Sequence, residues 1–431
     1  MARAAVEAKS NKGAAIARYP ALDGLRGFAL LVMLGMHFGF YPSVYTTSPP
    51  SIVKFLMAKI LVMGWVGLDL FFVLSGFLIT SILVASKNEP HYFRNFYGRR
   101  VVRIFPLYYT VLVVGLFVAP ALFGDRWDRF MGDTRAHQFW LWTYSLNIAV
   151  TLNVMGDSGM FGPLWSLALE EQYYTVWPWV VKYTSRAMLG RICGLFIVGA
   201  LAFRLSWMAA GFGWPGAYHF TLARLDPIAV GAGIALLMQD AVWRRRLERL
   251  APAGLMVGVA GIAFMFVRYP LVGPQEWFVV TFGHSIVAFV FGCLVVIALR
   301  DPAPKWMCAT WLIMLGTCSY SIYVWHFFVR QIMAVLYARY PASTPAGGAA
   351  AAIAFLVVGL AISIACGWVS HVLIERPFLK LKRLFQYKRP VDVRIPAAEP
   401  AVVGVAAGLW NGAPESTRPL TGSLHGAPGA D

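Results

Sequence analysis

Arg26 and His37 are ionisable residues within the apolar stretch LDGLRGFALLVMLGMHFGF, which covers residues 22–40 and also carries Asp23. A charged side chain near the centre of a membrane helix costs about 2.5–3.5 kcal/mol, so such residues are usually paired or functional. Eleven residues of helix separate the two by about 16 Å and make almost three turns, which places both side chains on one face. The helix presents a guanidinium at one level and, at another, an imidazole suited to proton transfer near neutral pH. The alternative is that neither residue takes part in chemistry. In that case Arg26 would reach the lipid headgroups, and His37 would hydrogen-bond to a carbonyl group in the core.

Other apolar segments carry ionisable residues at the level of His37. They are Asp69, Glu170, Glu171, Arg224, Asp226, His284 and His326. Polar core residues that had no function would be scattered between the two leaflets. Because these residues lie at one level, we expect a polar chamber that opens toward the outer face. For Glu170 and Glu171 the alternative is a cap at a helix N-terminus, which the helix dipole favours.

A pair of arginines lies in NFYGRRVVRIFPLYY, residues 95–109, at the start of another apolar segment. Arg100 and Arg103 are three residues apart, so they share a helix face. The planar fork of donors in arginine matches phosphate oxygens, which makes the pair a candidate phosphate clamp that Arg26 could join. The alternative is an anchor on the cytoplasmic side, where Lys and Arg collect.

The composition places these segments in a membrane. Hydrophobic residues make up 59% of the 431 residues and charged residues only 13%, which is unlike an ordinary soluble protein. Apolar runs of about 20 residues recur along the chain, each long enough to cross a bilayer. Basic cytoplasmic loops explain the formal charge of +17, so we expect membrane lipids and no nucleic acid as partners. The sequence predicts an all-α, polytopic membrane protein.

Eleven segments are candidate spans by hydropathy. They lie at about 22–41, 60–84, 101–122, 138–153, 165–182, 190–209, 220–239, 251–268, 277–299, 310–336 and 349–374. Basic residues near both termini predict that both are cytoplasmic, which requires an even number of spans. Omitting 138–153, the shortest segment, meets this requirement. We therefore predict ten transmembrane helices, with a re-entrant or interfacial segment near 138–153.

The predicted organisation is one membrane domain between two polar ends. Residues 1–18 form a basic cytoplasmic N-terminus, and residues 19–384 form the ten-helix domain. Residues 385–431 are rich in Pro, Ala and Gly, and we expect a disordered cytoplasmic tail. The five cysteines are interpreted as buried apolar residues. The histidines are scattered singly, so we expect no metal site.

Six stretches of the chain resemble the acyltransferase-3 family of membrane proteins. They are LDGLRGFALLVMLGMH, FFVLSGFLIT, GRRVVRIFPLYY, WSLALEEQYY, SYSIYVWH and LIERPF, in the family's order. The resemblance implies an integral membrane enzyme that takes an acyl group, expected to be acetyl, from cytoplasmic acyl-coenzyme A. The acceptor would be a hydroxyl of an extracytoplasmic or lipid-linked glycan, as in O-acetylation of exopolysaccharide or O-antigen. It also implies the bacterial inner membrane and a stand-alone type without a fused extracytoplasmic domain.

By motif position, Arg26 and His37 correspond to the family's arginine–histidine pair, and Arg100 with Arg103 to its RxxR pair. The three arginines would hold the phosphates of acetyl-coenzyme A. His37 would act as general base on the acceptor hydroxyl or carry the acyl group transiently. The residues expected to orient the imidazole or the sugar are Glu170, Glu171 and His326. Those expected to bind substrate are Asp69, Arg224 and Asp226.

Several alternatives stay open. A proton-coupled transporter or exporter of a glycan or small molecule also carries intramembrane carboxylates and histidines, although no internal repeat of the kind common in transporters is evident. A structural membrane subunit is another alternative, but its buried charges would be energetically unfavourable and would serve no function. Ser75 is a candidate nucleophile, but a Ser-Gly pair more often permits close helix packing. The acceptor is open among exopolysaccharide, O-antigen, a peptidoglycan-linked sugar, a macrolide and a lipid.

Overall fold

The computed structural model describes residues 19–39, 52–156, 158–270, 272–339 and 345–387. These residues form helices joined by turns, and none of them lies in a β-strand. The predicted N-terminal segment 1–18 lies outside the described residues, as does the predicted tail from residue 388 onward. All described residues belong to one compact unit, residues 1–395.

Helices of eight or more residues are labelled α1 to α12. They are α1 (Pro20–Gly39), α2 (Ile52–Val62), α3 (Val66–Ala85), α4 (Tyr92–Val113), α5 (Leu164–Tyr183), α6 (Arg186–Ala209), α7 (Leu225–Leu237), α8 (Ala241–Arg268), α9 (His284–Ala298), α10 (Thr310–Thr317), α11 (Ser319–Arg339) and α12 (Pro345–Ser370). Shorter helices lie at Ala119–Phe123, Asp125–Asp128, Phe139–Trp142, Leu146–Thr151, Trp214–His219 and Arg376–Leu379. The π-helical segments are Val114–Val118, Val279–Gly283 and His371–Glu375. The 3₁₀ segments are Met63–Trp65, Gly132–Arg135, Gly159–Phe161, Thr221–Arg224, Lys305–Cys308 and Lys380–Leu384.

Seven helical stretches of the described chain are long and apolar enough to cross a membrane. They are Pro20–Gly39, Phe55–Ala85, Tyr92–Phe123, Arg186–Ala209, Ala241–Arg268, Val279–Ala298 and Ala351–Leu384. An eighth is added if α10 and α11, which meet at a bend of 73°, count as one span. The helical membrane architecture is confirmed, whereas the predicted count of ten is not.

The three other predicted spans lie on helices that depart from a straight apolar crossing. α5 carries Glu170, Glu171 and Lys182. α7 has 13 residues, about 20 Å of helix, which is shorter than the hydrocarbon core. α10 and α11 are the bent pair. The charges of α5, the length of α7 and the bend between α10 and α11 therefore keep these three segments out of the seven stretches. Hydropathy along the sequence reveals neither the bend nor the length of a helix.

The segment 138–153 contains only the short helices Phe139–Trp142 and Leu146–Thr151, neither of which could cross a bilayer. Gln172 of α5 donates hydrogen bonds from Nε2 to the Tyr144 carbonyl oxygen and to Asn147 Oδ1, both at 2.9 Å. These bonds hold the segment against α5, one residue from Glu171.

Side chains at two helix starts satisfy backbone groups that have no partner within the helix. Ser185 Oγ accepts a hydrogen bond from the Met188 backbone N–H at 3.2 Å, at the start of α6. The Asp240 carboxylate accepts from the N–H groups of Val242 and Trp243 at 2.9 and 3.0 Å, at the start of α8. Such caps fix where a helix begins.

Glycines bring together the helices that carry the candidate site. A Cβ atom at Gly27 of α1 would lie 2.1 Å from the Leu312 carbonyl oxygen of α10. A Cβ atom at Gly76 of α3 would lie 2.0 Å from the Ile228 carbonyl oxygen of α7. Because glycine lacks this atom, the backbones can approach closely. The two crossings fix α1 and α3, which both line the site.

Candidate functional site

Five helices, α1, α3, α4, α5 and α11, line a partly open cavity of about 90 Å³. Its polar lining residues are Arg26, Ser75, Arg100, Arg103, Ser166, Glu170, Tyr174, Ser319, Tyr320 and Tyr323. Its apolar lining residues are Leu68, Phe71, Phe72, Ile104 and Leu167. All three arginines predicted to bind phosphate therefore lie in one cavity, which we call the basic cavity.

The arginines of the basic cavity are only partly neutralised. Arg26 Nη1 lies 3.5 Å from Asp23 Oδ1. The Arg100 guanidinium stacks over Tyr174, 4.4 Å from the ring centroid. Within the described part of the chain, Arg100 and Arg103 make no ion pair and no hydrogen bond. Their charge therefore faces the cavity, where it attracts anions.

Glu170 lies in the same cavity and is hydrogen-bonded to α3. Ser75 Oγ donates to Glu170 Oε1 at 2.6 Å, and the Tyr174 hydroxyl donates to Ser75 Oγ at 3.0 Å. Glu171 does not line the cavity, because successive residues of a helix point about 100° apart. α5 begins at Leu164 and has no acidic residue in its first turn, so neither glutamate is a helix cap.

His37 and His326, predicted to share a level, are in contact. Their ring centroids are 4.9 Å apart, and the Phe327 ring lies 5.4 Å from His37. Arg330 Nε donates to the His37 carbonyl oxygen at 2.8 Å. His326 is fully buried, with Nδ1 2.5 Å from the Tyr323 carbonyl oxygen. Its Nε2 atom is buried and has no hydrogen-bond partner among the described residues.

The imidazole pair lies next to the basic cavity without lining it. Tyr323, a lining residue, precedes His326 by three residues, about 4.5 Å along the helix axis. The Tyr323 hydroxyl lies 2.5 Å from Ser166 Oγ and donates to the Pro163 carbonyl oxygen at 2.7 Å. The contact between these two hydroxyl groups forms the part of the cavity wall that is nearest to His326 along α11.

Asp69, Arg224 and Asp226, predicted to bind substrate, lie instead in a buried network of ion pairs. Arg224 pairs with Asp69, whose second oxygen lies 3.1 Å from His284 Nδ1. Arg204 pairs with Asp226 through two contacts of 2.9 Å. All five residues have 0% exposure, and none lines the basic cavity. We call them the paired network.

Arg204 and Glu375 were missed in the sequence. Arg204 lies five residues before the end of α6, where a lone arginine also fits a headgroup anchor. Glu375 is 4% exposed, accepts a hydrogen bond from Ser321 and lies 3.2 Å from His371 Nδ1. The signal for Glu375 was its place in LIERPF, because an acidic residue in an apolar segment needs a partner.

The groups available for chemistry are thus guanidinium, imidazole, carboxylate and hydroxyl. Among the residues that the structure describes, no group of three or more His, Cys, Asp or Glu side chains is arranged to hold a metal ion. The arrangement combines a cavity lined by three arginines with an adjacent pair of imidazoles. Such a combination can bind a phosphate-bearing donor and move a proton.

Comparison with known proteins shows that this chain is similar to O-acetyltransferases. The family model described as an acyltransferase domain matches residues 19–370. The O-acetyltransferase OatA of Staphylococcus aureus (strain NCTC 8325 / PS 47) is 27% identical over 323 residues, 72% of this chain and 50% of that protein. The peptidoglycan O-acetyltransferase OatA of Listeria monocytogenes serovar 1/2a (strain ATCC BAA-679 / EGD-e) is 28% identical over 334 residues, which are 72% of this chain and 49% of that protein. The chain spans about half the length of these curated relatives, and no solved structure matches it.

Proposed function

We propose that this chain, which belongs to the acyltransferase-3 family, transfers an acetyl group from acetyl-coenzyme A to a hydroxyl of an extracytoplasmic or lipid-linked carbohydrate. The observation that carries the proposal is the basic cavity, where Arg100 and Arg103 face open space without ion pairs among the described residues. A carbohydrate acceptor is supported by the relative described as a peptidoglycan O-acetyltransferase.

Coenzyme A fits the basic cavity by charge. It carries phosphate groups at its nucleotide end, and its thioester lies at the far end of a flexible arm. Arg26, Arg100 and Arg103 present planar donors that match phosphate oxygens, so phosphate supplies the missing counter-charge. The thioester then extends toward His37, about 16 Å from Arg26 along α1.

His37 is the proposed general base. Its imidazole takes the proton of the acceptor hydroxyl, the hydroxyl oxygen attacks the thioester carbonyl carbon, and the carbon–sulfur bond breaks. The imidazolium then gives its proton to the leaving thiolate, which restores neutral histidine. His326, in ring contact with His37, keeps the imidazole in place, and Arg330 holds the adjacent backbone.

A second route passes through a covalent intermediate. The His37 nitrogen attacks the thioester carbonyl carbon, the carbon–sulfur bond breaks, and the N–H proton of the imidazole passes to the leaving thiolate. The acceptor hydroxyl then attacks the acetyl carbon, the carbon–nitrogen bond breaks, and the hydroxyl proton returns to the imidazole. Mass spectrometry of protein incubated with acetyl-coenzyme A and no acceptor distinguishes the routes. A histidine that gains one acetyl group supports the covalent route, and an unmodified histidine supports the general base.

We assign different roles to the two neighbouring carboxylates, Glu170 and Glu171. Glu170, hydrogen-bonded to Ser75 inside the cavity, accepts amide N–H groups of the pantetheine arm. Glu171 lies within electrostatic range of Arg100 and orients that guanidinium. The substrate-binding role predicted for Asp69, Arg224 and Asp226 stays a prediction, which their pairing does not favour.

We also propose a bacterial inner-membrane location with both ends cytoplasmic and residues 19–384 as the membrane domain. The basic residues near both ends support this orientation, and both relatives named above are bacterial. Arg26 is the seventh of the 20 residues of α1, and Arg100 and Arg103 are the ninth and twelfth of the 22 residues of α4. With this orientation the arginines face the side that supplies coenzyme A.

Replacing His37 by alanine tests the reaction. Purified protein in liposomes receives radiolabelled acetyl-coenzyme A and a glycan acceptor, and label on the glycan is measured. Loss of a general base lowers transfer by about 10²–10⁴-fold, while coenzyme A binding persists. His91→Ala, at an exposed position, is the control. Transfer near the unmodified level after His37→Ala would exclude His37, and glycan uptake into vesicles without any acyl donor would indicate a transporter.

A further inference from the structure

The last described residues, 376–387, fold back onto the start of α4, beside the arginines of the basic cavity. We call them the C-terminal segment. Asn95 Nδ2 donates to the Gln386 carbonyl oxygen at 2.8 Å, and Arg99 Nη1 donates to the Phe385 carbonyl oxygen at 3.1 Å. A Cβ atom at Gly98 would lie 2.3 Å from the Phe385 ring. Hydrogen bonds and close packing therefore fix this segment against the helix that carries Arg100 and Arg103.

Lys382 is the half-buried cation of the C-terminal segment. Its ammonium lies within electrostatic range of Arg99, Arg100 and Arg103. Glu375 is the opposing carboxylate in range, and it already accepts a hydrogen bond from Ser321. Among the described residues, the Lys382 ammonium makes no ion pair and no hydrogen bond.

This gathering of cations is unfavourable without an anion. Like charges held together repel, and partial burial strengthens the repulsion because less water screens it. The neighbouring basic residues of the segment, Lys380 and Arg383, are exposed to solvent, as a membrane-surface anchor requires. Lys382 is instead half-buried within electrostatic range of the arginines, and a bound anion that carries several charges would relieve the repulsion among them.

We infer that Lys382 binds a phosphate of coenzyme A together with Arg100 and Arg103. The inference rests on the proposed function, because it takes the donor to be a coenzyme A thioester. The C-terminal segment packs at the start of α4, so Lys382 contacts the nucleotide end of the donor and not the thioester. Lys382 is thus a donor-binding residue that neither the motifs nor the cavity lining reveals.

The experiment compares two donors, acetyl-coenzyme A and S-acetylpantetheine, which lacks every phosphate. Lys382→Ala should raise the KM for acetyl-coenzyme A about tenfold with kcat unchanged, since a hydrogen bond to a charged group is lost. The same variant should leave kcat/KM for S-acetylpantetheine unchanged. Lys382→Arg should restore most of the affinity for acetyl-coenzyme A. Lys380→Ala, which removes an equal charge two residues away, is the matched control and should change neither donor's kinetics.

Equal losses with both donors would overturn the inference, because they would indicate a structural role. An unchanged KM for acetyl-coenzyme A would overturn it as well. Failure of the proposed function looks different, since unmodified protein would then not bind coenzyme A. If unmodified protein binds it and loses affinity when Arg100 and Arg103 are replaced but not when Lys382 is, only the inference about Lys382 fails.

Discussion

The basic cavity and the paired network are two clusters of buried charge that share α3 but differ in how their charges are matched. Ser75 of α3 lies in the cavity and Asp69 in the network. Phe72 lies at the boundary, since it lines the cavity and its ring centroid is 5.6 Å from the Arg224 guanidinium. A single helix thus separates an open charged site from a closed one.

Charge pairing is what distinguishes the two regions. In the network each carboxylate has an arginine partner, and the side chains are 0–1% exposed. In the cavity Arg26 has a side-chain exposure of 21%, and Arg100 and Arg103 have no ion pair among the described residues. A buried pair needs both partners, because either charge alone would be uncompensated. A cation facing a cavity stays solvated until a ligand arrives. We therefore expect the network to stabilise the fold and the cavity to bind a ligand.

Replacing Arg204 by alanine should give the largest change in stability. It leaves the Asp226 carboxylate buried without its two 2.9 Å contacts, and the loss of one partner of a buried pair costs about 3–5 kcal/mol. The measurement is the free energy of unfolding of purified protein in detergent, from denaturant titration.

The matched control for Arg204 is Arg135→Ala. Arg135 also pairs with an aspartate at 2.9 Å, but the two side chains are 60% and 41% exposed. Exposed pairs contribute little to stability, so this variant should unfold like the unmodified protein. Equal stability of the two variants would contradict the division between the regions.

Except for Arg204, the sequence predicted the ionisable residues of both regions, but it did not predict their division. Hydropathy and charge cost apply equally to Arg26 and Asp226, so both were expected to bind ligands. Glu170 was expected at the level of His37, whereas the structure places it with the arginines. Its partner, Ser75, depends on the rotation of α3 against α5. That rotation follows from tertiary packing, such as the crossing at Gly76, and no local pattern encodes it.

The fold shows the same limit. Hydropathy predicted a helix at each described helix of eight or more residues except α2, most of which precedes the predicted span 60–84. The count of ten spans is not confirmed where a helix carries several charges, as in α5, is short, as in α7, or is bent, as between α10 and α11. Arg204 was missed because its partner Asp226 lies on another helix. The sequence shows which apolar segments carry a charge that needs a partner, but it does not show which residue of another helix is that partner.

Replacing Arg100 and Arg103 together by alanine should weaken coenzyme A binding about a hundredfold, since each bond to a charged group contributes about 1.5–3 kcal/mol. Stability without ligand should be unchanged or higher, because the change removes like charges that have no ion pair in the described structure. Calorimetric titration with coenzyme A and denaturant unfolding measure the two quantities.

The control for the double variant is Arg126→Ala with Arg129→Ala. This exposed pair has the same spacing of three residues, and its removal should alter neither binding nor stability. If the Arg100 and Arg103 variant kept full affinity for coenzyme A, the cavity would not be the donor site. If it lost as much stability as Arg204→Ala, its arginines would be structural as well.

The smallest expected difference separates two serines that each donate to a carboxylate. Ser285 Oγ donates to Asp226 Oδ2 at 2.7 Å inside the network, and Ser75 Oγ donates to Glu170 Oε1 at 2.6 Å in the cavity. Ser285→Ala removes a hydrogen-bond donor from the buried Asp226 carboxylate and should lower the free energy of unfolding by about 1.5–3 kcal/mol. Ser75→Ala opens a place for water, which replaces most of the lost bond, so its cost should stay below about 1 kcal/mol. Ser75→Ala should instead decrease acetyl transfer a few fold, as measured in the liposome assay. Equal destabilisation by the two variants would mean that water does not reach Glu170, and the cavity would then be as closed as the network.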